Sequence, residues 1–231
     1  MTALILLRHG ESKWNKKKLF TGWFDINLTK KGQEEAFNSG KLLLSRKLFP
    51  EIVYTSLLYR SLSTTYILLD TINKLQIPIY KNWRLNERHY GALQGSSKKF
   101  IKEKYGEKQF VTWRRYYTAL PPKIDQFEKF QQYNDPKYKI IGGGPLTESL
   151  EDVTKRFIPY YKETIVPTLE SNKIVLIVAH GNLLRALIKY LDSTSNYKIA
   201  GLDIPTGVPI YYKLDINLMP VIPGGTYIRM G

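Results

Sequence analysis

Two of the three histidines in this 231-residue chain stand in the same local setting. His9 and His180 each follow an apolar run directly, and each precedes a glycine. A neutral imidazole can attack a phosphorus atom, and Arg8 can hold phosphoryl oxygens in its planar guanidinium fork. His9 is therefore a candidate nucleophile for phosphoryl transfer, although a histidine at a strand end can also simply pack against a loop.

A second arginine and a carboxylate would complete the residue types that such a reaction needs. Arg60 follows the second predicted strand, where it could reach His9 or lie on the surface. Glu87 lies in residues 85–95, where opposite charges, a histidine, a tyrosine and two glycines indicate a functional loop. The proposed chemistry has His9 attacking, His180 and the arginines offsetting charge on the equatorial oxygens, and Glu87 moving the substrate proton.

A pair of histidines can also bind a metal ion, and this alternative stays open from the residue types alone. The chain has no cysteine, which excludes disulfides, thiolate catalysis and cysteine-ligated zinc. No clear set of carboxylates stands out that would complete a two-histidine metal site. We therefore predict chemistry without a metal.

The elements that must position these side chains form an α/β pattern. The sequence predicts strands at 3–7, 52–56, 77–80, 174–179 and 208–214. It predicts helices at 29–47, 57–69, 98–105, 107–118, 147–169 and 183–191. The carboxyl ends of parallel strands joined by crossover helices meet at one sheet edge, so His9 and His180 should face each other there. The predicted fold is a mainly parallel sheet with helices on both faces.

Details of the elements also follow from single residues. Thr29 and Thr147 are the predicted N-caps of their helices, and Pro159 should kink or interrupt the later one. Residues 13–25 are predicted to form a loop. The tail from Pro220, with three glycines, is predicted to be mobile.

Residues 96–146 form a long insert in a chain predicted to be one domain over 1–231. Two helices should be separated near Gly106. The following 125–145 stretch is polar, aromatic and rich in glycine, which indicates a loosely structured flap covering the site.

Composition limits the partners. Lys and Arg number 35 against 20 acidic residues, a formal charge of +15, and such a field attracts anions. A phosphorylated metabolite, nucleic acid and an anionic membrane all fit the charge. No apolar stretch approaches the length of a membrane span, and residues 1–7 lack the basic n-region of a signal peptide. With the absence of cysteine, this predicts a cytoplasmic location.

Eight sequence blocks together resemble the cofactor-dependent phosphoglycerate mutases of the histidine phosphatase superfamily. They include LRHGES at 7–12, LNERHYGALQG at 85–95 and AHGNLLRAL at 179–187. The others lie at 20–23, 54–56, 113–115, 145–150 and 204–209. The 85–95 and 113–115 blocks are specific to the mutase branch, whereas the block around His9 is shared by the superfamily.

The resemblance implies roles for individual residues. His9 would be the phosphorylated nucleophile, with the Gly10 backbone orienting its ring. Glu87 would be the acid/base and a substrate contact, and His180 would stabilise the transferring group. Phosphate would be held by Arg8, Ser12, Asn15, Arg60, Gly181 and Asn182, of which Arg8 and Arg60 also count as catalytic. The substrate pocket would be lined by Thr21, Gly22, Arg88, Tyr90, Lys98, Arg114 and Arg115.

By the same resemblance, the chain would interconvert 3-phosphoglycerate and 2-phosphoglycerate. A 2,3-bisphosphoglycerate molecule would prime His9 and serve as the intermediate, and the family is expected to form homodimers or homotetramers. Two alternatives are a bisphosphoglycerate synthase or phosphatase on the same scaffold and a basic nucleic-acid-binding module. Ser12 favours a mutase over a synthase. The segment WRRYY at 113–117 interleaves basic and aromatic residues and is the feature that supports nucleic-acid binding.

Overall fold

A six-stranded sheet forms the centre of the computed structural model, which describes residues 2–171 and 173–229. The strand order is β3-β2-β4-β1-β5-β6. The bounds are β1 Ala3–Arg8, β2 Ile52–Thr55, β3 Ile79–Lys81, β4 Ile174–Ala179, β5 Ile210–Lys213 and β6 Thr226–Tyr227. Strands β1 to β4 pair in parallel, while β5 and β6 run antiparallel. The predicted mainly parallel sheet is therefore confirmed.

The register of the two central strands explains why the two histidines meet. Arg8 at the end of β1 lies opposite Ala179 at the end of β4. The backbone N–H of His9 donates to the carbonyl oxygen of Ala179 over 3.0 Å, which extends the ladder by one bond. His9 and His180 thus leave the sheet side by side at its carboxyl edge, where open α/β sheets bind ligands.

Eight α-helices are described; α2 and α3 pack on one face of the sheet, and α5, α6 and α7 pack on the other. Their bounds are α1 Lys13–Lys16, α2 Lys30–Ser45, α3 Tyr59–Thr71, α4 Lys98–Arg115, α5 Leu150–Tyr160, α6 Val166–Glu170, α7 Gly181–Leu191 and α8 Asn196–Gly201. Short 3₁₀ segments lie at Trp83–Leu85, Gly91–Leu93 and Pro136–Ile141, and a π-helical turn at Tyr161–Ile165 joins α5 to α6.

Alternation along the strands divides the interior into two hydrophobic layers. Leu4 and Leu6 of β1 pack with the apolar faces of α5 and α7, whereas Ile5 and Leu7 pack with α2 and α3. Both faces of β1 are fully buried, as expected for a parallel strand with helices on each side. This packing fixes the position of the strand ends that carry the site.

Some predicted element ends are wrong. Ser149, not Thr147, is the N-cap of α5: its side chain accepts from the Asp152 N–H, and the Asp152 carboxylate reaches back in a capping box. Thr147 instead donates its hydroxyl to the carbonyl oxygen of Pro121 over 2.9 Å. Pro159 lies in the last turn of α5, after which the chain continues as the π-helical turn. The predicted loop at 13–25 contains the short helix α1.

The insert is confirmed as helical in its first half, with Gly106 as the break. Gly106 has φ 81° and ψ 159° inside α4, a backbone conformation that favours glycine. The second half packs inward: Gln132 and Tyr138 are buried, and the Tyr138 ring lies 4.6 Å from that of Trp23. Residues 125–145, which were predicted to cover the site, thus pack against the loop that contains Trp23.

The tail that was predicted to be mobile is in part held in the sheet, at residues 226–228. β6 pairs with β5, and the Ile228 N–H donates to the carbonyl oxygen of Pro209 over 2.8 Å. The Ile228 side chain is buried in the layer of α2 and α3. Among the described residues no helix is long and apolar enough to cross a membrane.

Candidate active site

The His9 ring is held in one tautomer. Its Nδ1 lies 2.7 Å from the carbonyl oxygen of Gly10, which can only accept, so Nδ1 carries the proton. Arg60 Nε donates to His9 Nε2 over 3.3 Å, which requires a lone pair on that nitrogen. Burial, followed by the charges of Arg60 and Arg8, lowers the pKa of His9 well below its usual value. His9 is therefore neutral, with its free electron pair on Nε2.

Gly10 occupies a position that accepts no side chain. A Cβ there would lie 2.0 Å from the carbonyl oxygen of Gly32, the third residue of α2. The Gly10 N–H donates to Thr64 Oγ1 of α3 over 3.0 Å. Close packing of both helices against the strand end thus places the carbonyl that orients His9.

Arg60 is almost fully buried beside His9, and backbone carbonyls fix its guanidinium. Nη2 donates to the Gly22 oxygen over 2.8 Å and Nη1 to the Phe24 oxygen over 3.0 Å. Gly22 has φ 55°, the left-handed region in which glycine meets little strain. Burial is the main cause that lowers the pKa of Arg60 to about 10, so it stays charged at neutral pH.

His180 lies next to His9, with 4.9 Å between the ring centroids. The ring is completely buried, and its Nε2 lies 2.8 Å from Ser56 Oγ. Nδ1 has no hydrogen-bond partner within the described residues. Burial, with Arg60 and then His9, lowers the pKa of His180 well below its usual value, so the second imidazole is neutral as well.

Glu87 brings a carboxylate to the same edge. Its Oε1 accepts from the Arg88 N–H over 2.7 Å and from the Asn182 N–H over 3.2 Å, at the start of α7. The positive end of a helix dipole favours an anion at this position. Trp23 Nε1 and Arg156 Nη2 both donate to the Glu87 carbonyl oxygen. The acidic side chain is thus held by the backbone N–H of the next residue and by a helix terminus.

A cavity opens beside these groups, and most predicted site residues line it. They are Arg8, His9, Asn15, Thr21, Gly22, Arg60, Glu87, Tyr90, Lys98, Arg114, Arg115, Gly181 and Asn182. Arg8 Nε and Thr21 Oγ1 are buried without a hydrogen-bond partner in the described structure. Buried polar atoms normally have a hydrogen-bond partner. These two atoms can therefore each bind a ligand in the cavity, such as a phosphoryl group.

The far wall of the cavity comes from the insert and carries an excess of positive charge. Burial lowers the pKa of Lys98 and of Arg114. Burial acts to raise the pKa of Tyr90, but nearby groups, chiefly the positive charge of Arg88, lower it overall. Arg115 donates from Nη1 to the Leu202 oxygen over 3.2 Å. Cations crowded together in this way favour a ligand with more than one anionic group.

Arg185, Asp203 and Ile204 also line the cavity, although they were not predicted from the sequence. Arg185 is 4% exposed and donates to the Ile199 oxygen and, from Nη1, to Asn182 Oδ1 over 3.1 Å. Asn182 Nδ2 in turn donates to the Tyr90 hydroxyl over 3.0 Å. The signal for Arg185 was present as a charged residue among the apolar residues of α7.

Three predicted site residues do not line the cavity. Ser12 caps α1, with its Oγ accepting from the Asn15 N–H over 3.1 Å. Arg88 is fully buried and donates from Nη2 to the Trp113 oxygen over 2.6 Å, at the end of α4. His180 is fully buried with its ring beside that of His9, at 4.9 Å between the centroids. Arg88 therefore binds the end of α4, which carries Arg114 and Arg115.

The third histidine has a different environment. His89 Nδ1 accepts from the Gly91 N–H over 3.0 Å, and Nε2 therefore donates to Gln132 Oε1 over 2.9 Å. Burial is the main cause that lowers its pKa to about 4. His89 thus ties the loop after Glu87 to the second half of the insert. Within the described residues, no group of three or more histidine, cysteine or acidic side chains could hold a metal ion.

Known proteins share both the sequence and the fold. The profile of the histidine phosphatase superfamily (branch 1) matches residues 4–136. The 2,3-bisphosphoglycerate-dependent phosphoglycerate mutase of Mycobacterium leprae is 56% identical over 226 residues, which are 98% of this chain and 92% of that protein. The enzyme of the same name from Mycobacterium tuberculosis is 54% identical over 226 residues, covering 98% and 91%.

A solved structure has a similar fold. YhfR of Bacillus stearothermophilus superposes with a TM-score of 0.71 at 26% identity, over 98% of this chain and 94% of that one.

Proposed function

Because the chain belongs to the histidine phosphatase superfamily, we propose that it interconverts 3-phosphoglycerate and 2-phosphoglycerate through a phosphohistidine at His9. The proposal takes its substrates from the names of its mycobacterial relatives. The observation that carries the chemistry is His9 itself, which is neutral and has its Nε2 electron pair beside Arg60 at the cavity.

In the proposed first transfer, phosphate passes from the enzyme to the substrate. The hydroxyl of the bound phosphoglycerate attacks the phosphorus on His9 Nε2, a P–O bond forms and the N–P bond breaks. The hydroxyl proton goes to the Glu87 carboxylate, and the electron pair of the broken bond returns to Nε2. Arg8 and Arg60 stabilise the equatorial oxygens, where negative charge is spread in the transition state.

The second transfer runs in the opposite direction from a reoriented intermediate. His9 Nε2 attacks the phosphorus of the other phosphoryl group, the N–P bond forms and the P–O bond breaks. Glu87 returns its proton to the leaving oxygen, so that the carboxylate and the phosphohistidine are both regenerated. Acid and base roles alternate on one side chain, as microscopic reversibility requires.

The cavity fits a ligand with two phosphates and a carboxylate. Among the described residues it is lined by Arg8, Arg60, Lys98, Arg114, Arg115 and Arg185 and by two carboxylates, those of Glu87 and Asp203. Arg8 Nε and Thr21 Oγ1, which have no hydrogen-bond partner among the described residues, provide hydrogen-bonding capacity at the cavity. When bound, 2,3-bisphosphoglycerate supplies the phosphoryl group that primes the enzyme. Asn15 and Asn182 are proposed to hold phosphate, with Lys98, Arg114 and Arg115 gripping the remaining anionic groups.

The same positive groups explain why a mutase is favoured over a phosphatase. A mutase must retain a doubly phosphorylated intermediate while it reorients, and α4 supplies cations that hold it independently of His9. Ser12 and Arg88 would act indirectly in this scheme, Ser12 through α1 and Arg88 through the end of α4.

We further propose that the chain is a single domain over 1–231, that it forms a homodimer or homotetramer, and that it works in the cytoplasm without a metal. These proposals rest on the family resemblance and on the composition. Light scattering of the purified protein measures the assembly directly, and a mass equal to that of one chain would contradict it.

A coupled assay tests the proposed activity. Conversion of 3-phosphoglycerate to 2-phosphoglycerate is followed with and without added 2,3-bisphosphoglycerate, after the enzyme has been freed of bound phosphate. We expect turnover that depends on the bisphosphate. Release of inorganic phosphate as the main reaction would favour the phosphatase alternative instead.

A further inference from the structure

Ser56 contacts His180 directly, and neither the sequence argument nor the proposed mechanism gives it a role. It follows β2 and is fully buried. Its Oγ lies 2.8 Å from His180 Nε2 and also accepts from the Leu58 N–H over 3.1 Å. The hydroxyl therefore has two neighbours, one of which can only donate.

Counting protons settles the direction of the bond to His180. A serine hydroxyl has one proton to donate, and within residues 2–171 and 173–229 His180 Nε2 is the acceptor in reach of it. If Nε2 carried the proton instead, the hydroxyl proton of Ser56 would be left in a fully buried place without an acceptor, which is unfavourable. A proton donated by Ser56 to Nε2 leaves the His180 proton on Nδ1.

We propose that Ser56 is a positioning residue, which holds His180 as the Nδ1–H tautomer so that Nδ1 can donate a hydrogen bond to the transferring phosphoryl group. Nδ1 is the nitrogen that has no hydrogen-bond partner in the described part of the chain, on a ring whose centroid lies 4.9 Å from that of His9. The phosphoryl part of this inference rests on the proposed function, whereas the tautomer does not.

The two imidazoles then have complementary tasks at one sheet edge. His9 turns its proton to the Gly10 carbonyl and keeps an electron pair on Nε2 for attack. His180 turns its electron pair to Ser56 and keeps a proton on Nδ1 for donation. Burial, and after it the charges of Arg60, His9, Arg156 and Arg8, disfavour a positive charge on His180, so a fixed neutral tautomer is the form that such surroundings allow.

Nuclear magnetic resonance of the ¹⁵N-histidine-labelled protein tests the tautomer without any substrate. Protonated and unprotonated ring nitrogens give well-separated signals, and with three histidines each ring is assigned by single replacements. We expect His180 to show a protonated Nδ1 and an unprotonated Nε2. In Ser56→Ala, the Nε2 position should gain proton occupancy. A protonated Nε2 in the unmodified protein, or an unchanged spectrum in Ser56→Ala, would overturn the assignment.

Kinetics tests the consequence for turnover. We expect Ser56→Ala to lower kcat about tenfold or more with KM changed less than about twofold, because a hydrogen bond to the transition state is lost. Ser61→Ala is the matched control: Ser61 is also fully buried, but it donates to the Val178 oxygen over 2.8 Å. Its kcat should change less than about threefold. Equal losses of kcat in both variants would mean that Ser56 has only a structural role.

A third variant separates the two proposals. Ser56→Thr restores a hydroxyl and should return both the Nδ1–H signal and part of kcat; failure to restore either contradicts the positioning role. If the tautomer signals follow the prediction but the protein forms no phosphohistidine, the proposed function fails and the His180 assignment stands.

Discussion

Arg60 Nε donates to His9 Nε2 over 3.3 Å, while the opposite nitrogen of the same ring is bound by the Gly10 carbonyl. The arginine thus occupies the direction in which a phosphoryl group would bond to His9. When that bond forms, the guanidinium loses an acceptor on nitrogen and gains phosphoryl oxygens beside it. A planar, permanently charged fork suits this exchange better than the point charge of a lysine.

Replacing Glu87 by glutamine keeps the shape of the side chain and removes the proposed base. The hydrogen bonds from the Arg88 and Asn182 N–H groups can persist to an amide oxygen. We expect kcat to fall about 10²–10⁴-fold, the usual contribution of general acid–base catalysis. A loss of less than about threefold would assign Glu87 to structure instead.

Arg114 and Arg115 should separate the mutase reaction from hydrolysis. Their side chains diverge as neighbours on a helix must: Arg114 lies over the Phe110 ring, and Arg115 reaches Leu202 and Asp203. We expect either alanine variant to lose about ten- to a hundredfold in kcat/KM and to raise hydrolysis relative to mutase turnover, because a loosened wall admits water.

Lys108→Ala is the control for these variants, because Lys108 lies on the exposed side of the same helix. Parallel assays for 2-phosphoglycerate and for inorganic phosphate give the ratio of the two reactions. An unchanged ratio in both arginine variants would mean that α4 is only a structural cover.

The fold could be predicted from the sequence because the signals for its strands and helices are local. The apolar runs of β1 and β4 and the residues that follow them predicted that His9 and His180 would meet. The cap of α5 was misassigned although its signal is local: Asp152 follows Ser149 by three residues, which fits the capping-box pattern. Serine is also a better N-cap than threonine, and the Thr147 hydroxyl is bound instead to the carbonyl oxygen of Pro121.

The second half of the insert was predicted in part: most of residues 125–143 are exposed, and outside Pro136–Ile141 they form no regular element. Its polar and glycine-rich composition indicated a loose cover, but Gln132 and Tyr138 are buried by partners on other loops. Arg185 was missed because an arginine in an apolar helix shows its purpose only when Asn182 and Ile199 are placed around it.

His89 should make the protein less stable in acid. Its pKa is about 4 in the folded state and 6.5 in the unfolded chain, so between these values the unfolded state binds more protons. The free energy of unfolding should therefore fall as pH decreases from 6.5 to 4, by roughly 3 kcal/mol from this residue. Urea unfolding across this range measures the slope.

The matched variant for this prediction is His89→Gln, since an amide can accept from one neighbour and donate to another without titrating. Its unfolding free energy should fall less steeply over the same pH range. Parallel curves for the variant and the unmodified protein would show that His89 does not carry this pH dependence.

Activity should survive removal of divalent ions. Arg8, Arg60 and the cations of α4 supply the positive charge that a metal would otherwise provide. Exhaustive treatment with EDTA should leave turnover unchanged, and vanadate should inhibit by resembling the transferring phosphoryl group. A loss of activity that manganese restores would indicate a different mechanism.

The central claim is that His9 carries the phosphoryl group, and labelling measures this most directly. The protein is incubated with phosphate-labelled 2,3-bisphosphoglycerate, denatured, and tested for bound label. We predict a stoichiometric phosphoenzyme that is labile in acid and stable in base, absent from His9→Ala and retained in His89→Gln. Stoichiometric labelling of the His9→Ala protein would contradict the claim.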